Sequence, residues 1–219
     1  MKNKVLVIAV HPDDETLGCG GTLLKHKSEK DEIHWLICTD IDKNNIYFNI
    51  RQKEIKKVAS LYNFNSTINL KLKTMQVDEY SMSDLISKIS KVIKDIKPNI
   101  IYLPFKGDVH SDHRKIFEAS FSCTKSFRYP FIKKIYMMET LSETEFAPST
   151  KEDNFVPNTF IDISKFMDKK IKIMKIFKSE IAKHPFPRSI KNLNSLATLR
   201  GASANCKYAE SFILLKEIN

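Results

Sequence analysis

The chain has 219 residues, 42% of them hydrophobic, which is enough for one α/β domain with a sizeable core, and no Pro/Gly/Ser-rich linker divides it. Its 36 basic and 26 acidic side chains give a formal charge of +10, but only five of the cations are arginine and the lysines are spread along the chain. That pattern argues against a nucleic-acid-binding face and leaves a basic rim that attracts a phosphate-bearing or acidic substrate as the alternative use of the charge.

Taken in chain order, Lys4 to Val10 reads as a strand. It ends on His11-Pro12-Asp13-Asp14-Glu15, one imidazole and three carboxylates within five residues. This interruption comes too early for a signal peptide or a membrane span, so a cytoplasmic protein without stable membrane insertion is expected. Helical spacing follows over Thr16 to Ser28, then a strand over Ile33 to Cys38, a helix over Asn49 to Tyr62, a strand over Thr67 to Leu72 and a helix over Ser83 to Ile96. Asn99 to Phe105 reads as a further strand. Behind it stands a second polar cluster, Asp108-Val109-His110-Ser111-Asp112-His113-Arg114. His113 to Lys125 and Ile163 to Lys183 read as helices and Lys134 to Met138 as a strand. Cys19, Cys38, Cys123 and Cys206 are widely spaced, which indicates neither a thiolate metal site nor a disulfide framework. Cys19, beside the first cluster at the start of a helix, is read as an ordinary small residue.

Alternating strands and helices imply a mostly parallel sheet covered on both faces: an α/β, single-domain, Rossmann-like three-layer sandwich spanning residues 1–219. If the strands before the two clusters are neighbours, both clusters face one crevice at the carboxyl edge of the sheet. Imidazole nitrogens and carboxylate oxygens without paired thiolates suit a catalytic Zn2+, or another divalent transition metal, with an open coordination position. The competing reading of the first cluster is a polar loop in which an aspartate caps the following helix. Glu15 reads either as support behind the ligands or as a first-turn acid stabilised by the helix dipole.

These motifs carry a resemblance. His11 through Thr22, Arg51-Gln52-Lys53-Glu54, His110 through His113, Arg200-Gly201 and Tyr208 through Phe212 resemble the PIG-L/LmbE family of metal-dependent N-deacetylases. Glu139 through Phe146, Pro157 through Ile163 and Pro185 through Ser189 are similar to a bacterial branch associated with surface-polysaccharide and amino-sugar metabolism. The resemblance implies His11, Asp14 and His113 as metal ligands and Asp13 as the general base. It further implies a protonated His110 beside the substrate carbonyl, with Asp112 orienting and charge-supporting that imidazole. Asp108 is expected to support the ligands from behind. Arg51 is expected to hold a substrate hydroxyl, carboxylate or phosphate, or else to pair with Glu54, and Arg188 to meet an anionic group or remain surface charge. Arg200 and Glu210 are expected to organise the C-terminal fold.

The pattern departs at Phe186, where the branch often has histidine, and at Ile41 and Asn205, where it has glycine; Asn tolerates a left-handed backbone. The implied activity is hydrolysis of an N-acetyl group from an N-acetylamino sugar in a glycoside, sugar nucleotide or lipid-linked conjugate. A deformylase or amidohydrolase acting on another small N-acyl group, or a non-catalytic metal- or glycan-binding protein, are the alternatives. A homo-oligomer is possible by the same resemblance.

Overall fold

The computed structural model describes residues 2–219. Seven strands form one sheet: β1 (Lys4–Ala9), β2 (Glu32–Asp40), β3 (Ser66–Lys73), β4 (Ile100–Leu103), β5 (Lys134–Met138), β6 (Thr159–Asp162) and β7 (Ala209–Glu217), in the order β3-β2-β1-β4-β5-β7-β6. The first five strands pair in parallel, and β7 joins antiparallel to β5 and to β6. Around them stand α1 (Asp14–Ser28), α2 (Phe48–Tyr62), α3 (Met82–Ile96), α4 (Ser111–Ser122), α5 (Met167–Met174) and α6 (Ile190–Ser203).

The unbroken apolar run of β1 is explained by burial on both faces. Val5, Val7 and Ala9 belong to a core shared with Leu23 of α1, Val58 of α2 and Leu193 of α6. Leu6, Ile8 and Val10 point the other way, into a core with Ile89 of α3 and Ile116 of α4. The three layers expected from the alternation are present. In β1, Val5 pairs with Ile33 of β2 and with Ile100 of β4. The chain leaves β1 for β2 and β3 on one side and returns to β4 on the other, so the sheet reverses its order between β1 and β4. Ligand crevices of open α/β sheets lie at such a reversal.

One element expected from the sequence is corrected. The helix over Ile163 to Lys183 shrinks to α5, followed by a single 3-10 turn at Lys178–Glu180. Asp162 delays its start by accepting the Ser164 amide at 2.8 Å, and beyond Met174 the Lys178 amide donates to Glu54 at 3.2 Å instead of continuing a helix. Strands β6 and β7 and helix α6 were not expected as such. Along α6 only Leu193, Ala197 and Gly201 are buried, a narrow stripe among Asn, Ser and Thr, and β7 interrupts its apolar run with the buried Glu210 and Ser211.

Helix α1 is bent where Cys19 leaves helical geometry (φ −144°, ψ 23°). The bend exposes backbone groups in mid-helix, and a buried ion pair meets them. Glu210 accepts the amides of Gly21 (2.8 Å) and Thr22 (2.7 Å), while Lys170 donates to the Leu17 carbonyl (2.9 Å) and to Glu210 (2.7 Å). Glu210 therefore organises the C-terminal fold as expected, and Arg200 does likewise by pairing with Glu139. Gly20 permits the close approach of α2, since a Cβ there would stand 2.5 Å from the Tyr62 hydroxyl. Among the described residues no helix is long and apolar enough to cross a membrane.

Candidate metal centre and active site

The loop after β1 and the start of α4, about a hundred residues apart in sequence, meet at the β1/β4 reversal. Asp14 turns its carboxylate backwards, where Oδ2 accepts the amides of Val10 (2.9 Å) and His11 (2.8 Å). Asp13 occupies the N-cap position of α1 but makes no side-chain cap. The capping role therefore fails on geometry for both aspartates, and the polar cluster is left to do something else.

His113, fully buried in the first turn of α4, places Nδ1 2.8 Å from Asp108 Oδ2. Asp108 is in turn held by the Thr144 hydroxyl at 2.7 Å. His11 places Nε2 3.3 Å from Asp112 Oδ2. If each imidazole donates its N–H to its carboxylate, the remaining nitrogens present bare lone pairs, as metal-ligating histidines held by carboxylates do. Those nitrogens, His11 Nδ1 and His113 Nε2, stand 3.3 Å apart. Asp14 Oδ2 is 3.4 Å from His113 Nε2 and 4.0 Å from His11 Nδ1. Three corners of a tetrahedron with bonds of about 2.0–2.1 Å stand about 3.3–3.4 Å apart; two edges of the triangle have this length and the third, at 4.0 Å, is longer, so the set approaches the spacing of a zinc-sized cation's ligands. Lone pairs this close in a buried place repel unless a cation or proton lies between them. His11, Asp14 and His113 thus have the chemistry and spacing to hold a metal ion.

The charges are mutually tuned. Against its burial, the His113 and His11 imidazoles hold the Asp14 carboxyl well below the usual range. Asp14 and Asp108 keep the His113 imidazole well above its ordinary value, although burial opposes them. Burial drives Asp13 the other way, well upward, helped by Asp14 and Glu180 and opposed by Arg188. The Asp13 backbone is strained, with φ 141°, a region L residues rarely enter. Glu15, fully buried, holds this conformation by accepting the Asp13 amide at 3.1 Å, and burial pushes its own carboxyl up to about 8. Glu15 is thus a support behind the loop. The Asp13 carboxylate has no hydrogen-bond partner among the described residues and faces a cavity of about 220 Å³.

Two expectations about α4 are corrected. His110 is its N-cap, and its Nδ1 accepts the Asp112 amide at 3.1 Å. An imidazolium has no acceptor nitrogen, so His110 is neutral here with its proton on Nε2. Burial, with the nearby His11 and His113 rings, lowers its pKa to about 4. Asp112 meets His110 by a hydrogen bond through that amide; its carboxylate accepts the amides of Met75 (2.7 Å) and Val77 (3.2 Å), faces His11, and supports a charge on His110 only against the larger opposing effect of burial.

Arg51 and Arg188 both line the cavity, and each is already paired. Arg51 lies 3.6 Å from Glu54 and bonds Glu180, so the pocket position and the salt bridge coexist. Arg188 meets Glu180 at 3.0 Å, its guanidinium 5.3 Å over the Phe186 ring that replaces histidine. Asn205 has φ 53°, the left-handed conformation its glycine counterpart would adopt. Asp40, Glu143 and Glu180 also line the cavity without having been singled out in the sequence. Asp40 was legible by the rule that found the clusters, since it ends strand β2 on the same sheet edge; Glu143 lies within the Glu139–Phe146 segment of the resemblance, which gave it no role of its own, and Glu180 lies in the 3-10 turn that replaced the end of the expected long helix. The cavity wall is therefore mixed in charge, with five carboxylates beside its two arginines. Burial pushes the Cys19 thiol well up, which makes it the ordinary residue expected.

Fold and donors together define a Rossmann-like α/β protein with a His-Asp-His set, able to hold a metal ion, at the switch point of its sheet. Residues 6–124 match the family model described as PIG-L, GlcNAc-PI de-N-acetylase. The chain belongs to the PIG-L family. Diacetylchitobiose deacetylase of Thermococcus kodakarensis is 23% identical over 218 residues, covering 94% of this chain and 81% of that protein. The uncharacterised deacetylase YaiS of Escherichia coli is 26% identical over 121 residues, covering 53% of this chain and 65% of YaiS. Among solved structures, N,N'-diacetylchitobiose deacetylase of Pyrococcus horikoshii superposes with a TM-score of 0.78 at 20% identity, covering 98% of this chain and 84% of that one. The 4-carboxy-2-hydroxymuconate hydratase GalB of Pseudomonas putida superposes with a TM-score of 0.75 at 16% identity, over 100% and 98% of the two chains. The shared fold thus hosts more than one reaction, and chemistry has to be argued from the site.

Proposed function

We propose that this protein is a metal-dependent N-deacetylase that hydrolyses the N-acetyl group of an N-acetylamino sugar, releasing acetate and a free amine. One observation carries the reading: a triangle of two imidazole lone pairs and one carboxylate oxygen stands beside a strained aspartate whose own carboxylate has no partner. A divalent ion on His11, Asp14 and His113, with Zn2+ favoured by the donor set and other transition metals able to replace it, supplies Lewis-acid activation of water and acyl oxygen.

The side chains do the remaining work. Asp13 takes a proton from the attacking water; the charge of a neighbouring cation offsets the burial that favours its protonated form. His110, neutral and carrying its proton on Nε2, donates a hydrogen bond to the acyl oxygen as that oxygen gains negative charge. A neutral imidazole suffices for this, because the proton needed by the departing nitrogen is the one Asp13 received from water. The activities for which relatives are named, deacetylation of diacetylchitobiose among them, support an N-acetylated sugar as substrate.

Replacing Asp13 by Ala should leave the metal content unchanged and lower kcat by about 10²–10⁴-fold, the usual contribution of a general base. Replacing His113 by Ala should remove metal and activity together. Metal analysis paired with acetate release from N-acetylglucosaminides reads both, and full turnover by metal-replete Asp13→Ala protein rules out this role for Asp13.

A further inference from the structure

The resemblance offers Arg51 and Arg188 as candidate holders of an anionic substrate group, but the folded chain supplies them with a carboxylate of its own. Glu180 enters the cavity from the 3-10 turn at Lys178–Glu180. Its Oε1 accepts from Arg51 and from the Ser179 hydroxyl (3.0 Å), its Oε2 from Arg188 Nη2 (3.0 Å), and its backbone oxygen from Arg188 Nε (3.0 Å). The other arms are also taken: Arg188 Nη1 donates to Ser142 Oγ at 2.7 Å and Arg51 Nη1 to the Pro12 carbonyl at 3.3 Å. Aromatic rings hold both guanidinium groups, Phe177 5.6 Å from Arg51 and Phe186 5.3 Å from Arg188.

The triad is a built feature. Its three side chains are only 12–21% exposed, and the turn that carries Glu180 is tied to α2 through Glu54. An anion entering the cavity would have to displace Glu180 while facing the other carboxylates of the wall, Asp13, Asp14, Asp40 and Glu143. An uncharged sugar meets no such opposition. Lys43, Lys71 and Lys73 line a separate neighbouring groove that adjoins the cavity at Asp40.

We propose that Glu180 sets the specificity of this pocket: by pairing its carboxylate with both Arg51 and Arg188 it admits an uncharged N-acetylamino sugar and rejects one bearing phosphate or carboxylate on the ring. The proposal rests on the deacetylase reading for its substrate but not for its electrostatics, and the test separates the two.

Metal-loaded wild type, Glu180→Gln and Glu180→Asp are compared for acetate release from methyl N-acetylglucosaminide and from N-acetylglucosamine 6-phosphate. The same proteins are titrated calorimetrically with inorganic phosphate, any direct phosphate–metal contact being common to all three. Wild type should favour the uncharged substrate by at least about tenfold in kcat/KM. Glu180→Gln should narrow that ratio and bind phosphate more tightly, each by about tenfold, the value of one freed charge-assisted contact. Glu180→Asp, which keeps the charge, should resemble wild type. Equal use of both substrates by wild type overturns the proposal, as does a phosphate affinity that Glu180→Gln leaves unmoved. If none of the proteins releases acetate, the deacetylase reading fails and the phosphate titration alone decides the role of Glu180.

Discussion

At the residue scale, the centre depends on side chains that never touch the ion. Asp108 is fully buried and joins the Thr144 hydroxyl to His113 Nδ1, so that with a cation at the site the Nδ1 proton is held by Asp108 and Nε2 is left to the cation. Replacing Asp108 by Ala should weaken metal affinity by about 10–100-fold, measured by competition with a chelator, while the protein still folds. An affinity equal to that of wild type would show that His113 needs no such partner. The order of strand and polar cluster was sufficient to bring His11, Asp13, Asp14 and His113 to one place, because the first three follow β1 at once and His113 lies in the first turn of the helix that follows β4. It was insufficient for His110 and Asp112, whose hydrogen bonds depend on where the helix starts. With His110 as N-cap, the amide two residues on takes its lone pair, and the charge state inferred from the motif alone is reversed.

At the scale of elements, α1 is two short helices joined at Cys19, and the junction is closed by Lys170 of α5 and Glu210 of β7. Both side chains are about 95% buried, at 5% and 4% exposure. Replacing Lys170 by Met should destabilise the protein by about 3–5 kcal/mol, because Glu210 is left buried without its counter-charge. Adding Glu210→Leu should recover part of that loss. Urea unfolding midpoints of the two variants read this, and a single variant as stable as wild type would deny the pair its role. Strands β1, β2, β4 and β5 were readable from the sequence because their buried positions make near-continuous apolar runs, and the edge strand β3 because its apolar and polar residues alternate. The C-terminal third was not. There α6 buries a stripe of only three residues, β7 carries a buried carboxylate, and the expected long helix breaks to deliver Glu180 to the cavity.

At the scale of the whole molecule, the donors of the proposed metal centre meet only where β1 and β4 have come together, so a metal bound there should stabilise the folded chain and not the unfolded one. At about 100 times its dissociation constant a bound ion adds about 2.7 kcal/mol. For a chain of this length that is an increase of roughly 5–10 °C in Tm. Thermal melts with and without chelator measure it, and His113→Ala protein should show no difference between them. The pairing of Val5 with Ile100 has a further consequence for synthesis. A nascent polypeptide emerging from the ribosome carries His11 and Asp14 early, yet it has no third ligand until α4 has also emerged and the central pair of strands has closed. Loading of the ion is therefore tied to the second half of translation, and a truncated product ending before α4 leaves the exit tunnel unable to retain it.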